Sequence, residues 1–272
     1  MNHKQNLHTH STFSDGKDTP EELIIEALKR GFCGIGFSEH VFCARSSYAL
    51  QMPVERTTAY QTEIRRLKEK YRGQIDVFCG MEYEMLAQTK AEGFDYLIGS
   101  AHYLDIDGRT VSVDTNLQQT LDCIRDNFGG DGMAYAKAYY ENVSQLPQKG
   151  NFDILGHFDL VTKNNEKGSF VDAASKKYLD YAFDAIHALK GKIPLFEVNT
   201  GVISRGYRSF PYPQLDILRE FKACGFGAVI SSDCHNKDLL DHSFAEAEQL
   251  LLEAGFCSKY ILTDKGFQEV RL

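Results

Sequence analysis

Gly227-Ala228-Val229-Ile230-Ser231-Ser232-Asp233-Cys234-His235 is an apolar run that ends in a carboxylate and an imidazole two residues apart. A short apolar run of this kind predicts a buried strand over 227–232. Its carboxyl end then delivers Asp233 and His235 to one face, because side chains alternate along a strand, while Cys234 points the other way. Five more packets repeat the design: HTHSTFSDG at 8–16, FSEH at 37–40, GMEYE at 80–84, SAHY at 100–103 and GHFD at 156–159. Each lies at the end of a predicted strand, at 5–9, 33–38, 75–81, 95–101 and 153–157 respectively. A seventh strand is predicted over 194–199.

Helices alternate with these strands. Thr19-Pro20-Glu21-Glu22 supplies an N-cap, a first-turn proline and a capping-box glutamate. Leu23, Ile24, Ala27 and Leu28 form the apolar stripe that follows, and Gly31 ends the helix. Further helices fit 54–72, 116–127, 133–146, 172–190, 213–224 and 243–255. Such alternation implies an α/β fold with a parallel sheet buried by helices. The packets come from strands spread over the whole chain. A TIM-like barrel would bring them together on one face, whereas an open sheet would string them along a line. The chain is therefore read as one barrel domain over 1–272, with an inserted helical segment at about 104–150. Two other long loops, Phe42–Met52 and Asn199–Pro213, are candidates for recognition.

Composition sets limits on partners. The chain has 272 residues, 43% of them apolar, with 18 Phe and 14 Tyr, enough for a sizeable core. Its apolar runs reach about 8 residues, well short of the roughly 20 that span a bilayer. The first ten residues lack a secretory pattern, and seven scattered cysteines without a C-x-x-C pair make a poor disulfide framework. A reduced, cytoplasmic protein away from membranes is expected. The net charge of −8 and the lack of a dense basic block argue against an extended nucleic-acid ligand, and none is expected. A small anion remains compatible, since a few local cations suffice.

His8, His10, Asp15, His40, Glu82, His102, His157, Asp233 and His235 are more ligands than one cation accepts, as zinc takes about four. The set implies two or three divalent metals held close together. His8 and His10 share a strand face, as do Asp233 and His235. Glu82, nearer the strand end than Glu84, is the expected bridging carboxylate. His3, His187 and His242 lack a strand-end position and are left out.

The order H-x-H, D, EH, E, AH, GH and D-x-H resembles the polymerase-and-histidinol-phosphatase (PHP) family of metal-dependent phosphoesterases. HTHSTFSDG, GSAHY, GHFD and SSDCH look like its histidinol-phosphate phosphatase branch. The resemblance implies a distorted (β/α)7 barrel and three divalent metal ions, usually zinc, manganese or iron. One metal would take His8, His10, Glu82 and Asp233. A second would share Glu82 and add His102 and His157, and a third would take Asp15, His40 and His235. The expected activity is phosphomonoester hydrolysis of histidinol phosphate in histidine biosynthesis, by in-line attack of a metal-bridging hydroxide. Three divalent cations against three carboxylates leave a charge of about +3, suited to a phosphate dianion and a hydroxide. Catalysis is expected to rest on Glu82, Asp233 and His235, with Arg205 as phosphate clamp. Lys163 stands where many relatives would carry arginine. Glu39, Phe13, Phe42 and Tyr103 lie beside ligands and are expected to line the substrate pocket. The alternatives are another phosphoesterase of this family, acting on nucleotides, oligonucleotides or phosphotyrosine, and a metal-binding protein without activity. Metal identity, which such sites leave to supply, and oligomeric state have no sequence signal.

Overall fold

The computed structural model describes residues 3–45, 51–88 and 91–272. The part of the Phe42–Met52 loop at 46–50 lies outside the described residues. Strands β1 (Gln5–Asn6), β2 (Gly34–His40), β3 (Asp76–Glu84) and β4 (Tyr96–Ser100) are followed by a hairpin, β5 (Tyr103–Ile106) and β6 (Arg109–Ser112). Then come β7 (Ile154–Leu155), β8 (Leu195–Asn199), β9 (Gly227–Ser231) and a second hairpin, β10 (Ser258–Thr263) and β11 (Gly266–Arg271). The longer helices between them are α1 (Pro20–Lys29), α2 (Thr57–Lys70), α3 (Leu117–Phe128) and α4 (Gly132–Val143). They continue with α5 (Asn165–Gly168), α6 (Lys176–Leu189), α7 (Gly201–Ser204), α8 (Leu215–Cys224) and α9 (Phe244–Glu253).

All seven predicted strands pair in parallel in the order β1-β2-β3-β4-β7-β8-β9. The sheet curls until Thr9 meets Cys234 in a parallel bridge, with the His10 N–H donating to the Cys234 carbonyl at 3.0 Å. On the other side the Ser38 N–H donates to the Thr9 carbonyl. The result is a nearly closed, distorted seven-stranded barrel. Two strands are shorter than expected: the regular ladder covers only Gln5–Asn6 and Ile154–Leu155. At β1 the chain leaves the ladder where the Asn6 side chain accepts from the His8 N–H.

Strands buried on both faces carry apolar residues on both. Inside the barrel, Leu7, Phe78, Tyr96, Ile98, Ile154, Leu195 and Val229 pack together with Leu262 of β10. Gln5 fixes that hairpin under the barrel, its amide donating to the Leu262 carbonyl at 2.9 Å and accepting from the Leu262 N–H at 2.7 Å. The helices bury their stripes outside, as with Leu23, Ile24 and Ala27 of α1, whose capping box at Thr19 and Glu22 is formed. Neither hairpin is among the predicted strands. Asp107-Gly108, both at positive φ, makes the β5–β6 turn, and an Asp-Gly pair is the usual mark of a two-residue hairpin.

Tyr96 fills the barrel axis and its phenol reaches the carbonyls of Leu7 and Phe37. It fits only because Gly36 and Gly80 face it. A Cβ on Gly80 would lie 2.3 Å from the Tyr96 ring, and the fully buried ring has nowhere to go. Gly80→Ala is expected to destabilise by about 1–3 kcal/mol or more through overpacking. The check is a lower urea midpoint at unchanged m-value; an unchanged midpoint would contradict this packing.

Candidate metal centre

The barrel brings all nine sequence-predicted ligands to its carboxyl-end face. Glu82 of β3 is the centre, 1% exposed. Its Oε2 lies 3.3 Å from His8 Nε2 and 3.6 Å from His10 Nε2, and the Asp233 Oδ1 closes that group at 3.5 and 3.2 Å from the same two nitrogens. Its Oε1 lies 2.9 Å from His157 Nε2 and 3.2 Å from His102 Nε2. On the far side, Asp15 Oδ2 is 3.0 Å from His235 Nε2 and 3.6 Å from His40 Nε2. His40 is shared, because its Nδ1 reaches Glu82 Oε2 at 2.8 Å. His10 is shared too, stacked at 4.2 Å on both His40 and His235. Ligand atoms converge in three sets: His8–His10–Asp233, His40–Glu82–His102 and His10–Asp15–His40–His235. Asp233 holds a left-handed φ of 47°, a strained state for a residue with a Cβ and frequent at functional sites.

These atoms fit cations better than they fit each other. His8 Nε2 and both His10 nitrogens are buried without a hydrogen-bond partner among the described residues. Leaving such groups unmatched costs about 1–3 kcal/mol each, and a divalent ion would match several at once. Burial alone would raise the carboxylates. The surrounding histidines outweigh it and hold Glu82 and Asp15 well below the usual range. Arg205 does most to hold Asp233 low. Burial would lower His8 and His40 as well, yet Glu197 and Glu82 hold His8 high, and Glu82 and Asp15 do so for His40. His10 goes the other way, to about 3, through burial and the neighbouring His40 and His235. It is neutral and ready to ligate.

Residues 6–201 match the model of the PHP domain. The chain belongs to the PHP domain family. A "Probable histidinol-phosphatase" of Deinococcus radiodurans is 28% identical over 87% of this chain and 88% of its own. The histidinol-phosphatase of Bacillus subtilis is 26% identical over 85% and 93%. The same fold occurs in the histidinol phosphate phosphatase of Lactococcus lactis, solved with zinc, L-histidinol and phosphate. There the TM-score is 0.74 at 21% identity, over 97% of this chain and 98% of that one.

Behind the candidate ligands of this site stand two further carboxylates. Glu197 accepts from His8 Nδ1 at 2.9 Å, from the His157 N–H at 2.7 Å and from Asn199 at 2.8 Å. Glu84 accepts from His102 Nδ1 at 3.0 Å and from the His102 N–H at 2.8 Å. Each fixes an imidazole so that Nε2 faces the centre. The signal for Glu197 was a lone charge inside the buried strand LFEVN, which is costly unless matched. Glu84 lies two residues from Glu82, on the same side of β3.

A cavity of about 460 Å³ opens above the ligands, with Tyr103, Asp114, Lys163, Arg205, Tyr207 and Tyr212 in its wall. Arg205 turns its fork onto Asp233, Nη1 to the carbonyl and Nη2 to Oδ2, both at 2.9 Å. Lys163 pairs with Asp114 and stands 4.2 Å over the Tyr207 ring. Three expected lining residues lie elsewhere. Glu39 precedes the ligand His40 in β2 and so points to the opposite face. There it is fully buried, accepts from the Ser11 N–H and the Ser11 and Ser14 hydroxyls, and is pushed by burial to about 7. Phe13 packs edge-on against Tyr60 at 5.4 Å under Arg56. Phe42 flanks a separate small hollow with Met52 and Met81. Cys234, as expected, faces the core rather than the ligands.

Glu197→Gln keeps the shape and loses the charge behind His8, and is expected to weaken metal binding about 10–100-fold, measured by chelator competition. Protons compete for the same atoms. Burial would lower His102, but Glu82 and Glu84 raise it to about 10. The metal-free His102 is therefore protonated below that pH, and a cation must displace the proton. Apparent metal affinity should fall as pH falls, by up to about tenfold per unit for each proton displaced. A flat profile between about pH 6 and 8 would contradict this assignment.

Proposed function

We propose that this chain hydrolyses L-histidinol phosphate to L-histidinol and phosphate, as a cytoplasmic enzyme of histidine biosynthesis. The observation that carries the reading is the closed ligand cluster beneath a cavity sized for a small molecule. The names of the curated relatives, which align over most of this chain, support the substrate. We read residues 1–272 as one domain with 104–150 inserted over the active face. Among the described residues no helix is long and apolar enough to cross a membrane. All seven cysteines are free thiols, in keeping with a reducing compartment.

The nine ligands would hold three divalent ions, of zinc, manganese or iron: His8, His10, Glu82 and Asp233 for one, Glu82, His102 and His157 for another, and Asp15, His40 and His235 for the third. Bound there, the ions would supply an activated water and offset charge on the phosphoryl oxygens and the departing alkoxide. The chain's own residues set up the rest. Glu82 stands between the ligand groups with one oxygen toward each. Arg205 orients Asp233 through its carboxylate and carbonyl, which leaves the remaining N–H donors of the guanidinium for a phosphoryl oxygen. Lys163 adds a second cation at the cavity wall, as a point charge without bidentate geometry. Ser112, the serine of the cavity wall, has its hydroxyl on the Asp114 carbonyl. With that hydroxyl donated to a carbonyl, we read the course as direct hydrolysis without a phosphoenzyme.

The test is phosphate release by metal-reconstituted protein from histidinol phosphate, a simple aryl phosphate, phosphotyrosine and short oligonucleotides. Histidinol phosphate should lead in kcat/KM by at least about tenfold; equal values would overturn the substrate. His8→Ala and Asp233→Asn should abolish turnover with the circular dichroism of the fold retained. Near-full activity in either would overturn the ligand assignment.

A further inference from the structure

Tyr212 is buried, at 1% exposure, yet it belongs to the wall of the cavity above the ligands. Its phenol oxygen has no hydrogen-bond partner among the described residues. A buried hydroxyl normally finds one, and here everything else about the residue is fixed. Its N–H and carbonyl pair with Asn199 at 3.0 and 2.8 Å in an isolated antiparallel bridge. Asn199 in turn donates to Glu197 behind the ligands. The ring is held between the Arg208 guanidinium, 4.6 Å from its centroid, and the edge of His157 at 6.3 Å. Arg208 is itself locked by Asp159 at 3.2 Å and the Thr162 hydroxyl at 2.8 Å. A side chain so tightly placed, in the wall of a cavity and with one unspent donor, is pre-organised for something that enters the cavity.

We propose that the Tyr212 hydroxyl donates a hydrogen bond to an oxygen of the bound phosphoryl group and is a further catalytic residue of this site. The inference rests on the phosphomonoesterase reading above and deepens it. The candidate ligand His157 and Arg205, which holds Asp233, share the wall with Tyr212, so the Tyr212 side chain borders the space that a phosphoryl group above the candidate ligands would enter. Burial pushes the phenol well above its usual range. It therefore stays protonated at working pH, and it is a donor to an anion rather than a source of protons for the leaving oxygen.

Tyr212→Phe removes only the hydroxyl. In the metal-loaded protein, kcat/KM for histidinol phosphate should fall about tenfold to a hundredfold, the range for a hydrogen bond to a charged group. Inorganic phosphate should bind more weakly by a similar factor in calorimetry. Metal content should be unchanged, and the melting temperature should hold or rise, because an unpaired buried hydroxyl contributes nothing to the free protein. Unchanged kcat/KM and phosphate affinity would overturn the proposal. So would a loss of activity accompanied by a lower melting temperature or lost metal, which would mark a structural role. If the wild-type protein hydrolyses none of the phosphomonoesters, the functional reading fails on its own. The phosphate titration of the two proteins still decides whether Tyr212 binds the anion.

Discussion

The Glu82 carboxylate is buried with five imidazoles within 3.6 Å of its two oxygens. An isolated buried charge is costly by several kcal/mol, and partners must be placed accurately to offset that. His8 and His10 follow β1, His40 ends β2, and His102 and His157 follow β4 and β7. No local sequence can assemble these; only a sheet curled until its first and last strands touch will do so. The Thr9–Cys234 bridge is that closure, and it lies between His8 and His10 on one side and between Asp233 and His235 on the other. Barrel closure and ligand convergence are one event. Tyr96, packed against Gly36 and Gly80, fills the barrel just beneath this cluster, its phenol on the carbonyl of Leu7, the residue before His8.

Much of this was legible in the sequence because parallel strands buried on both faces are conspicuous apolar runs, and the polar packets at their ends are equally conspicuous. All seven strands and the nine converging residues could be named from that pattern alone. The losses have common physical causes. Glu39 is expected in the pocket wall because it adjoins His40 in the chain, but adjacency in a strand puts neighbours on opposite faces, and Glu39 lies on the other side. Glu197 is hidden because a strand of buried residues is recognised by its apolar members, among which a single carboxylate carries little weight. The hairpins were missed because short strands with exposed residues have weak periodicity, although Asp107-Gly108 carried the turn chemistry of the first.

The outer carboxylates change how the centre should be understood. Glu197 and Glu84 each bind the Nδ1 of a histidine whose Nε2 faces Glu82. Negative charge is thus layered behind imidazole, and imidazole behind Glu82. In the free protein this raises His8 and His102, so protons occupy positions that metals would take. The same field that attracts cations also gives protons a foothold.

The loop after β8 joins recognition to the ligands. Asn199 opens it, hydrogen-bonds Glu197, and pairs in both directions with the backbone of Tyr212 near its end. Between them Arg205 grips both the carboxylate and the carbonyl of Asp233, a candidate ligand already held at a strained φ. A change in this loop therefore cannot act on substrate contacts alone. Moving Arg205 releases part of the constraint on Asp233, and moving Tyr212 shifts Asn199 and, through it, the carboxylate behind His8. Because residues that share partners do not contribute additively, affinity for the phosphoryl group and affinity for metal are coupled properties of one network. Substitutions at Arg205 and Asp233 should be interpreted as a pair.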